Sequence, residues 1–312
     1  MFPVPTSLSP SRVDAFTNCP LAFRFSSIEK LPEPPSVATT RGSLVHRALE
    51  LLFVSPPAER TPDRLEAALE TALDEYRALP DLVDLGLDGA GMQQFEAECR
   101  ELTANYLRME DPSTVREIGL ELRLEAAVDG LTLRGVIDRL ELDEHGGLVV
   151  TDYKTGRAPS ANFEQKSLGG VHFYAFLCDQ VFGQRPSAVR LMYLKSGETI
   201  TATPSAQSVR FLTTRTRAVW HAVERACTNG EFRPRQSALC RSCAFQRWCP
   251  EFGGDPDRAA AEAGVTAGTT VTTGTTGTTG STGSTSTDGT ADTDGTDGTD
   301  GTDGTAAGLV RV

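Results

Sequence analysis

Two apolar, strand-like segments that end in charged residues constrain the fold of this chain more than any other part of its sequence. The first, residues 135–139, reads GVIDR, and the second, residues 149–156, reads VVTDYKTG. Between them, residues 143–147 read DEHGG, a composition typical of a tight turn. We therefore expect residues 131–142 and 148–152 to pair as an antiparallel hairpin.

The rest of the folded part mixes strand and helix patterns. Residues 115–128 alternate in hydrophobicity and predict a third antiparallel strand beside the hairpin. Further strands are predicted at residues 188–194 and 199–203, and helices at residues 42–53, 62–78, 91–108, 162–182 and 206–229. The order of these elements predicts a mixed α/β domain.

A change in composition near residue 254 divides the chain. After a short stretch rich in Ala and Glu, the sequence becomes Gly, Thr, Ser and Asp, with GTD repeated near the end. Such a segment has almost no apolar surface and cannot offset the entropy that is lost on ordering. The sequence therefore predicts a folded domain at residues 1–254 and a disordered, acidic tail at residues 255–312.

The net charge and the absence of certain sequence motifs limit the classes of protein to which this chain could belong. The net charge is −12, which disfavours a protein that coats nucleic acid but is compatible with a nuclease that has a local basic groove. The sequence contains no long apolar run and no secretory signal, so we expect a cytoplasmic protein without membrane contact. It also contains no GxxxxGK[ST] stretch, so any helicase would be a separate partner.

Asp138, Asp152 and Lys154 form a constellation suited to phosphodiester hydrolysis. Alternate residues of a strand share a face, so Asp152 and Lys154 point the same way, and the hairpin register can bring Asp138 beside them. Carboxylates suit Mg²⁺ or Mn²⁺, such an ion acidifies water, and a lysine can position that water. The alternative is a set of strand-edge acids with a solvated lysine, which is common and nearly neutral in energy.

These residues also resemble a known enzyme family. GxIDR followed by an apolar strand into DYKTG looks like the core of the PD-(D/E)xK nucleases of the RecB exonuclease family, over residues 7–252. The resemblance implies a restriction-endonuclease-like α/β core, in which a central mixed sheet is flanked by helices. It also implies metal-dependent cleavage of DNA, with Asp138, Asp152 and Lys154 in the catalytic site.

A histidine upstream extends the resemblance. Residues 41–46 read RGSLVH, which is similar to the GxxxH motif of that family. The resemblance implies that His46 faces the metal, with Asp138, Asp152 and the carbonyl of Tyr153 completing the ligand shell. Without the resemblance, His46 would be interpreted as an ordinary core or surface histidine.

A tyrosine downstream matches the family only in part. Where the family often has QxxxY on a helix, this chain has Gly170 and Tyr174. We carry over only Tyr174 as a catalytic-site residue, and Gln165 or His172 could substitute for the missing glutamine. A buried tyrosine in an apolar helix face is the alternative. Glu121, on the strand before the hairpin, is interpreted as an exposed strand position rather than as a further acid of the site.

Four cysteines suggest a second metal site. Cys240, Cys243 and Cys249 follow a C-x2-C-x5-C spacing, and Cys19 lies far upstream. Four thiolates can hold a [4Fe–4S] cluster or a structural Zn²⁺. The arrangement resembles the iron–sulfur site of AddB-type and CRISPR-associated RecB-like exonucleases, so we favour the cluster, which would tie together the two ends of the domain. The remaining cysteines are interpreted as core thiols, namely Cys99, Cys178 and Cys227.

The sequence thus favours a metal-dependent DNA nuclease, acting as a single-strand exonuclease in DNA repair or recombination. The alternative is a non-catalytic nucleic-acid-binding module with a structural metal–cysteine site, working in a larger repair complex. Several arginines either form a rim that contacts phosphates or are simply solvated, and the sequence favours neither interpretation. They are Arg139 and Arg157 near the metal and Arg233, Arg235, Arg241 and Arg247 near the cysteines.

Overall fold

The computed structural model describes residues 1–128, 130–160, 164–265 and 309–311. Its strands are β1 (Ser7–Leu8), β2 (Glu117–Val128), β3 (Leu131–Leu142), β4 (Leu148–Lys154), β5 (Ala188–Tyr193), β6 (Glu198–Ala202) and β7 (Leu309–Arg311). The three antiparallel central strands are confirmed, since β3 pairs in antiparallel register with both β2 and β4. β1 was not predicted, because two residues are too few to show alternation.

The two edges of β3 are used differently. β2 lies along one edge. On the other edge, β1 pairs in parallel with residues 132–133 and β4 pairs with residues 139–142. Within the part of the chain that is described, residues 134–138 therefore have no partner strand on that edge. β4 continues the sheet in parallel to β5, and β6 and β7 add antiparallel strands, which gives a seven-stranded mixed sheet.

Helices cover both faces of the sheet. They are α1 (Pro10–Asn18), α2 (Pro20–Phe23), α3 (Val37–Phe53), α4 (Pro62–Tyr76), α5 (Pro80–Val83), α6 (Gly89–Met109), α7 (Glu164–Phe182), α8 (Ala206–Asn229) and α9 (Ala259–Glu262). α3 begins five residues before its predicted start, because Ser36 and Thr39 form a capping box at its N-terminus. Of the described helices, none has the length and apolar character needed to cross a membrane.

Two apolar layers hold the helices on the sheet. One layer joins α1, α7 and α8 to strand residues such as Ile137 and Val150. The other joins α3, α4 and α6 to residues such as Tyr153 and Met192. Val150 and Tyr153 belong to different layers because alternate residues of β4 face opposite sides of the sheet. The predicted architecture, a central mixed sheet flanked by helices, is therefore confirmed.

The folded domain extends beyond its predicted end. Buried Arg24 pairs with Asp257 at 3.1 Å, and the indole of Trp248 donates a hydrogen bond to α9 at 2.8 Å. Residues 255–265 therefore belong to the folded domain, and the predicted boundary at residue 254 is wrong. The sequence could not show this, because the contacts join segments far apart in the chain. The rest of the predicted tail, apart from β7, lies outside the described residues.

Candidate active site

The unpaired edge of β3 lines a cleft of about 980 Å³. One wall is the start of α1, with Ser9 and Ser11, and the other walls come from β4 and α7. The structure brings together in this cleft all five side chains that were predicted for the catalytic site, namely His46, Asp138, Asp152, Lys154 and Tyr174.

Asp152 and Lys154 project from the same side of β4, as strand alternation requires. The carboxylate of Asp152 is buried, and its Oδ2 lies 2.5 Å from Nζ of Lys154. Burial disfavours the charged amine, but the ion pair with Asp152 outweighs it and raises the pKa of Lys154. Lys154 is therefore an ammonium at neutral pH, which donates hydrogen bonds and cannot act as a base.

The backbone of Tyr153 connects Asp138 to His46. Its N–H donates to Oδ2 of Asp138 at 2.7 Å, and its carbonyl lies 2.9 Å from Nε2 of His46. Since a carbonyl only accepts, Nε2 carries the proton in this contact. The lone pair on Nδ1 of His46 then faces Asp138, at 3.5 Å from Oδ2. The backbone groups of one residue thus orient a carboxylate and an imidazole toward the same point.

Asp138 is held in an environment that resists its ionisation. Burial, and then the nearby charge of Asp152, raise the pKa of Asp138 to about 8 from an ordinary value of 3.8. The N–H of Tyr153 and the ammonium of Lys154 only partly oppose this rise. The ammonium and N–H groups of the protein therefore do not fully balance the charge of the two carboxylates in this buried site.

Glu121 joins this group, so its interpretation as an exposed strand residue is wrong. It has a φ of 43°, in the left-handed region, which breaks the alternation of β2 at that point. Its Oε1 lies 3.9 Å from Nδ1 of His46. Burial, and then Asp138, raise the pKa of Glu121. The hairpin register carries a signal for this residue, because the neighbouring pairs place Glu121 across from Asp138.

The donor set fits a divalent cation. One ligand atom from each of His46, Glu121 and Asp138 lies within 4.8 Å of the others. Mg²⁺ binds oxygen at about 2.1 Å, so its opposite ligands are about 4.2 Å apart. In addition, Oδ2 of Asp152 is buried and lacks a well-formed hydrogen bond although Lys154 lies beside it, so it can accept a cation or water as a further partner. Carboxylate oxygens with one imidazole favour Mg²⁺ or Mn²⁺.

Tyr174 reaches the site because a glycine makes room for it. Its hydroxyl lies 3.4 Å from Oδ1 of Asp152. A Cβ added at Gly135 would lie 3.3 Å from the ring of Tyr174 and 2.8 Å from Leu177, so the glycine of GVIDR lets α7 approach β3. Gly170 lines the cleft beside open space, whereas His172 is not among the residues that line it. The side chain of Gln165 lies outside the part of the chain that the structure describes.

Arg139 lies away from the cleft, so its interpretation as a phosphate contact is wrong. It is fully buried between β3, α3 and α6, where its guanidinium holds both carboxylate oxygens of Glu110 at 2.7 and 2.8 Å. It also donates to the hydroxyl of Tyr153 at 2.8 Å and pairs with Glu141 at 2.6 Å. Ile137, two residues earlier, faces the other apolar layer, so simple alternation does not continue to Arg139, and its partner Glu110 is too distant in sequence to be recognised.

The four clustered cysteines line a second cavity, of about 740 Å³. Cys19 caps α2, and the other three, Cys240, Cys243 and Cys249, come from the chain after α8. Backbone N–H groups donate to three of the sulfurs, and burial raises the pKa of Cys243 and Cys249. The remaining cysteines are buried, as predicted for core thiols, namely Cys99, Cys178 and Cys227.

Two known proteins are similar in sequence to this chain. The Gene 69 protein of Mycobacterium phage L5 is 24% identical over 290 residues, covering 78% of this chain and 96% of the phage protein. One subunit of an ATP-dependent helicase/deoxyribonuclease of Streptococcus agalactiae is 25% identical over 205 residues, covering 62% of this chain but only 18% of the streptococcal protein. This chain therefore corresponds to a small part of the larger protein.

A solved structure has a similar fold, and the sequence pattern of one protein superfamily matches most of the chain. A protein of Eubacterium rectale, described as an exonuclease, has a similar fold with a TM-score of 0.51 and 12% identity, covering 78% of this chain and 88% of that one. The sequence pattern of the PD-(D/E)XK nuclease superfamily matches residues 7–250, which include both acids, the lysine and the four clustered cysteines. The chain therefore belongs to the PD-(D/E)XK nuclease superfamily.

Proposed function

We propose that this protein is a divalent-metal-dependent deoxyribonuclease that cuts single strands from an end, in DNA repair or recombination. The observation that carries the proposal is the cleft in which Asp138, Asp152 and Lys154 converge with His46. The deoxyribonuclease and exonuclease descriptions of similar proteins favour DNA as the substrate and an end-directed reaction. A separate helicase partner is part of the proposal, since one similar protein belongs to a helicase/deoxyribonuclease.

In this proposal, the protein contributes ligands and one positioned ammonium. Asp138, Asp152, Glu121 and Nδ1 of His46 would hold the cation, and the carbonyl of Tyr153 would join them on release from His46. A divalent cation supplies an acidified water and offsets charge on the phosphate. The ammonium of Lys154 would orient the water and stabilise the charge that develops on phosphorus.

The resemblance to the RecB exonuclease family implies the bond changes in the reaction. The water oxygen would bond to phosphorus as the bond from phosphorus to the 3′ oxygen breaks. The products are a 5′-phosphate and a 3′-hydroxyl. Tyr174, through its hydroxyl contact with Asp152, would fix the orientation of that carboxylate during the reaction.

The cleavage assay tests the proposal directly. Protein purified without oxygen is incubated with end-labelled single- and double-stranded DNA, with Mn²⁺ or with EDTA. We expect Mn²⁺-dependent shortening of single strands from one end, with 5′-phosphates on the products. Absence of cleavage on any DNA or RNA would contradict the proposed activity. Cleavage of internal sites in a circular single strand would contradict the exonuclease part alone.

The four clustered cysteines are proposed to hold a [4Fe–4S] cluster, with Zn²⁺ as the alternative. Among the described residues, no three cysteine sulfurs lie within 4.8 Å of one another. A tetrahedral Zn²⁺ binds sulfur at about 2.3 Å, so its ligands are about 3.8 Å apart. A cubane binds each thiolate through a different iron and needs wider spacing. The backbone N–H groups directed at the sulfurs suit either the cluster or Zn²⁺, because they stabilise thiolates.

Metal analysis distinguishes a [4Fe–4S] cluster from a Zn²⁺ ion. The anaerobic protein should be brown and contain about four irons per chain. Cys19→Ala should lose iron as completely as Cys243→Ala does, because each removes one of four ligands, while Cys178→Ala should keep it. Stoichiometric zinc without iron would replace the cluster by a zinc site, and full iron content in Cys19→Ala would exclude Cys19 as a ligand.

A further inference from the structure

Of the three arginine and lysine side chains that line the cleft among the described residues, two are held in ion pairs. Arg134 pairs with Glu125 at 3.1 Å, and Lys154 pairs with Asp152 at 2.5 Å. Arg123 also lines the cleft and is exposed, yet no carboxylate of the described residues lies within ion-pair distance of it. Its guanidinium is thus available to an anion from outside the protein.

Arg123 is placed at a defined distance from the acids. It pairs across the hairpin with Val136, which is two residues before Asp138 on β3. Two residues of a strand span about 7 Å. Successive phosphates of one strand are about 3.4 Å apart along a B-form helix and farther apart when the strand is extended. A phosphate on Arg123 would therefore be a near neighbour of one held at Asp138.

The surface beside Arg123 suits a nucleotide. Val136 is 39% exposed and shares the face of the hairpin with Arg123, so it offers an apolar contact next to the guanidinium. Across the cleft, Ser9 and Ser11 contribute hydroxyls, and the one acid of that wall, Asp14, has its pKa raised by burial. A strand between these walls would meet a cation and a hydrocarbon on one side and hydroxyls on the other.

We propose that Arg123 binds the backbone phosphate next to the scissile phosphate, while Val136 packs against the adjoining sugar or base. The inference deepens the proposed nuclease function and rests on it. A guanidinium can hold a phosphate with two hydrogen bonds, which a lone ammonium cannot do. A local cation is also needed because the chain as a whole carries a charge of −12.

The test compares Arg123→Gln with Arg185→Gln, a control that removes an exposed arginine outside the cleft. With a single-stranded oligonucleotide and Mn²⁺, Arg123→Gln should raise KM about tenfold, change kcat less than twofold and lower the salt dependence of binding by about one charge. Arg123→Lys should restore part of the loss. Arg185→Gln should behave like the unaltered protein.

Neutral methylphosphonate linkages locate the contact. One such linkage, placed next to the scissile phosphate, should weaken binding to the unaltered protein but not to Arg123→Gln. Equal losses in both proteins, or an unchanged KM in Arg123→Gln, would overturn the proposal while leaving the nuclease function intact. If no cleavage occurs, the same comparison is made on binding of the oligonucleotide without metal. A lack of binding by the unaltered protein would then overturn both proposals.

Discussion

Neighbouring residues of β3 and β4 build two charge clusters of opposite character. Arg139 and Tyr153 face the layer of α3 and α6, where one guanidinium is enclosed by two carboxylates and a phenol. Asp138 and Asp152, one position before each, line the cleft, where acids outnumber the cation that neutralises them. The first cluster carries its counter-charges within the fold, whereas the second depends on a ligand from outside.

The acids of the cleft make the stability of the folded protein depend on pH. The pKa of Asp138 is raised to about 8, so the folded protein without metal takes up a proton that the unfolded chain releases near pH 3.8. Between these values the folded state binds more protons, and stability falls as pH rises. The acids of the cleft therefore cost stability as the pH rises, which is typical of functional sites.

The largest expected effect comes from removing a charge of the cleft. Asp152→Asn and Lys154→Ala should each lower the rate of DNA cleavage by about a thousandfold or more, because each removes a metal ligand or the group that positions water. Asp152→Asn should melt close to the unaltered protein, whereas Lys154→Ala should melt lower because it leaves buried Asp152 without its counter-charge. Cleavage at the unaltered rate in both would show that these residues do not form the catalytic site.

Breaking the other cluster should have the reverse result. Arg139→Met leaves Glu110 and Glu141 buried without their main counter-charge, so it should destabilise the fold by about 3–5 kcal/mol. Chemical denaturation measures this change. Arg190→Gln is the matched control, because Arg190 pairs with Glu141 from a partly exposed position, and it should cost about 1 kcal/mol or less. Equal losses in the two variants would contradict the role assigned to Arg139.

Removing the last folded residues of the domain tests a second buried arginine, Arg24, and the expected loss of stability is smaller. Arg24 pairs with Glu29 and Asp257, so truncation after Gly254 removes one of its partners and the cover of Trp248. We expect a loss of about 2 kcal/mol, comparable with two buried hydrogen bonds. Truncation after Val265 keeps these contacts and removes only the edge strand β7, so it should lower the melting temperature less. Equal melting of both truncations would restore the boundary at residue 254.

The pH dependence of metal binding should show the smallest effect. A cation at Asp138 must displace the proton that is bound below pH 8, so Mn²⁺ affinity should rise by up to about tenfold per pH unit as pH approaches 8 and then level off. Calorimetric titration at several pH values measures the slope. Glu121→Gln should keep part of this slope, whereas a slope of zero in the unaltered protein would mean that Asp138 is already ionised or does not bind the metal.

The sequence predicted the local parts of this structure and missed those that depend on distant contacts. The three central strands and the shared side of Asp152 and Lys154 follow from alternation and a turn. Glu121 was misjudged because a single residue with positive φ breaks the alternation of its strand. Arg139 was misplaced because the alternation of β3 breaks between Ile137 and Arg139, opposite the positive φ of Glu121.

The ends of the domain show the same limit. Residues 255–265 are rich in Ala and charged residues and show no strong apolar pattern, yet they fold because Arg24 and Trp248 provide buried partners. Cys19 was connected with Cys240, Cys243 and Cys249 only through a family resemblance, and the structure then placed all four around one cavity. Long-range partners of this kind leave no local pattern in a single sequence.

Thermal melting of Asp138→Asn at pH 8, with and without Mn²⁺, tests most directly whether the cleft is built to bind a cation. Without metal, the variant should melt at or above the temperature of the unaltered protein, because it lacks the buried acid whose pKa is raised. Mn²⁺ at about a hundred times its Kd should stabilise the unaltered protein by about 2.7 kcal/mol and leave the variant unchanged. A variant that melts as low as Arg139→Met, or that gains as much from Mn²⁺ as the unaltered protein, would contradict this interpretation of the cleft.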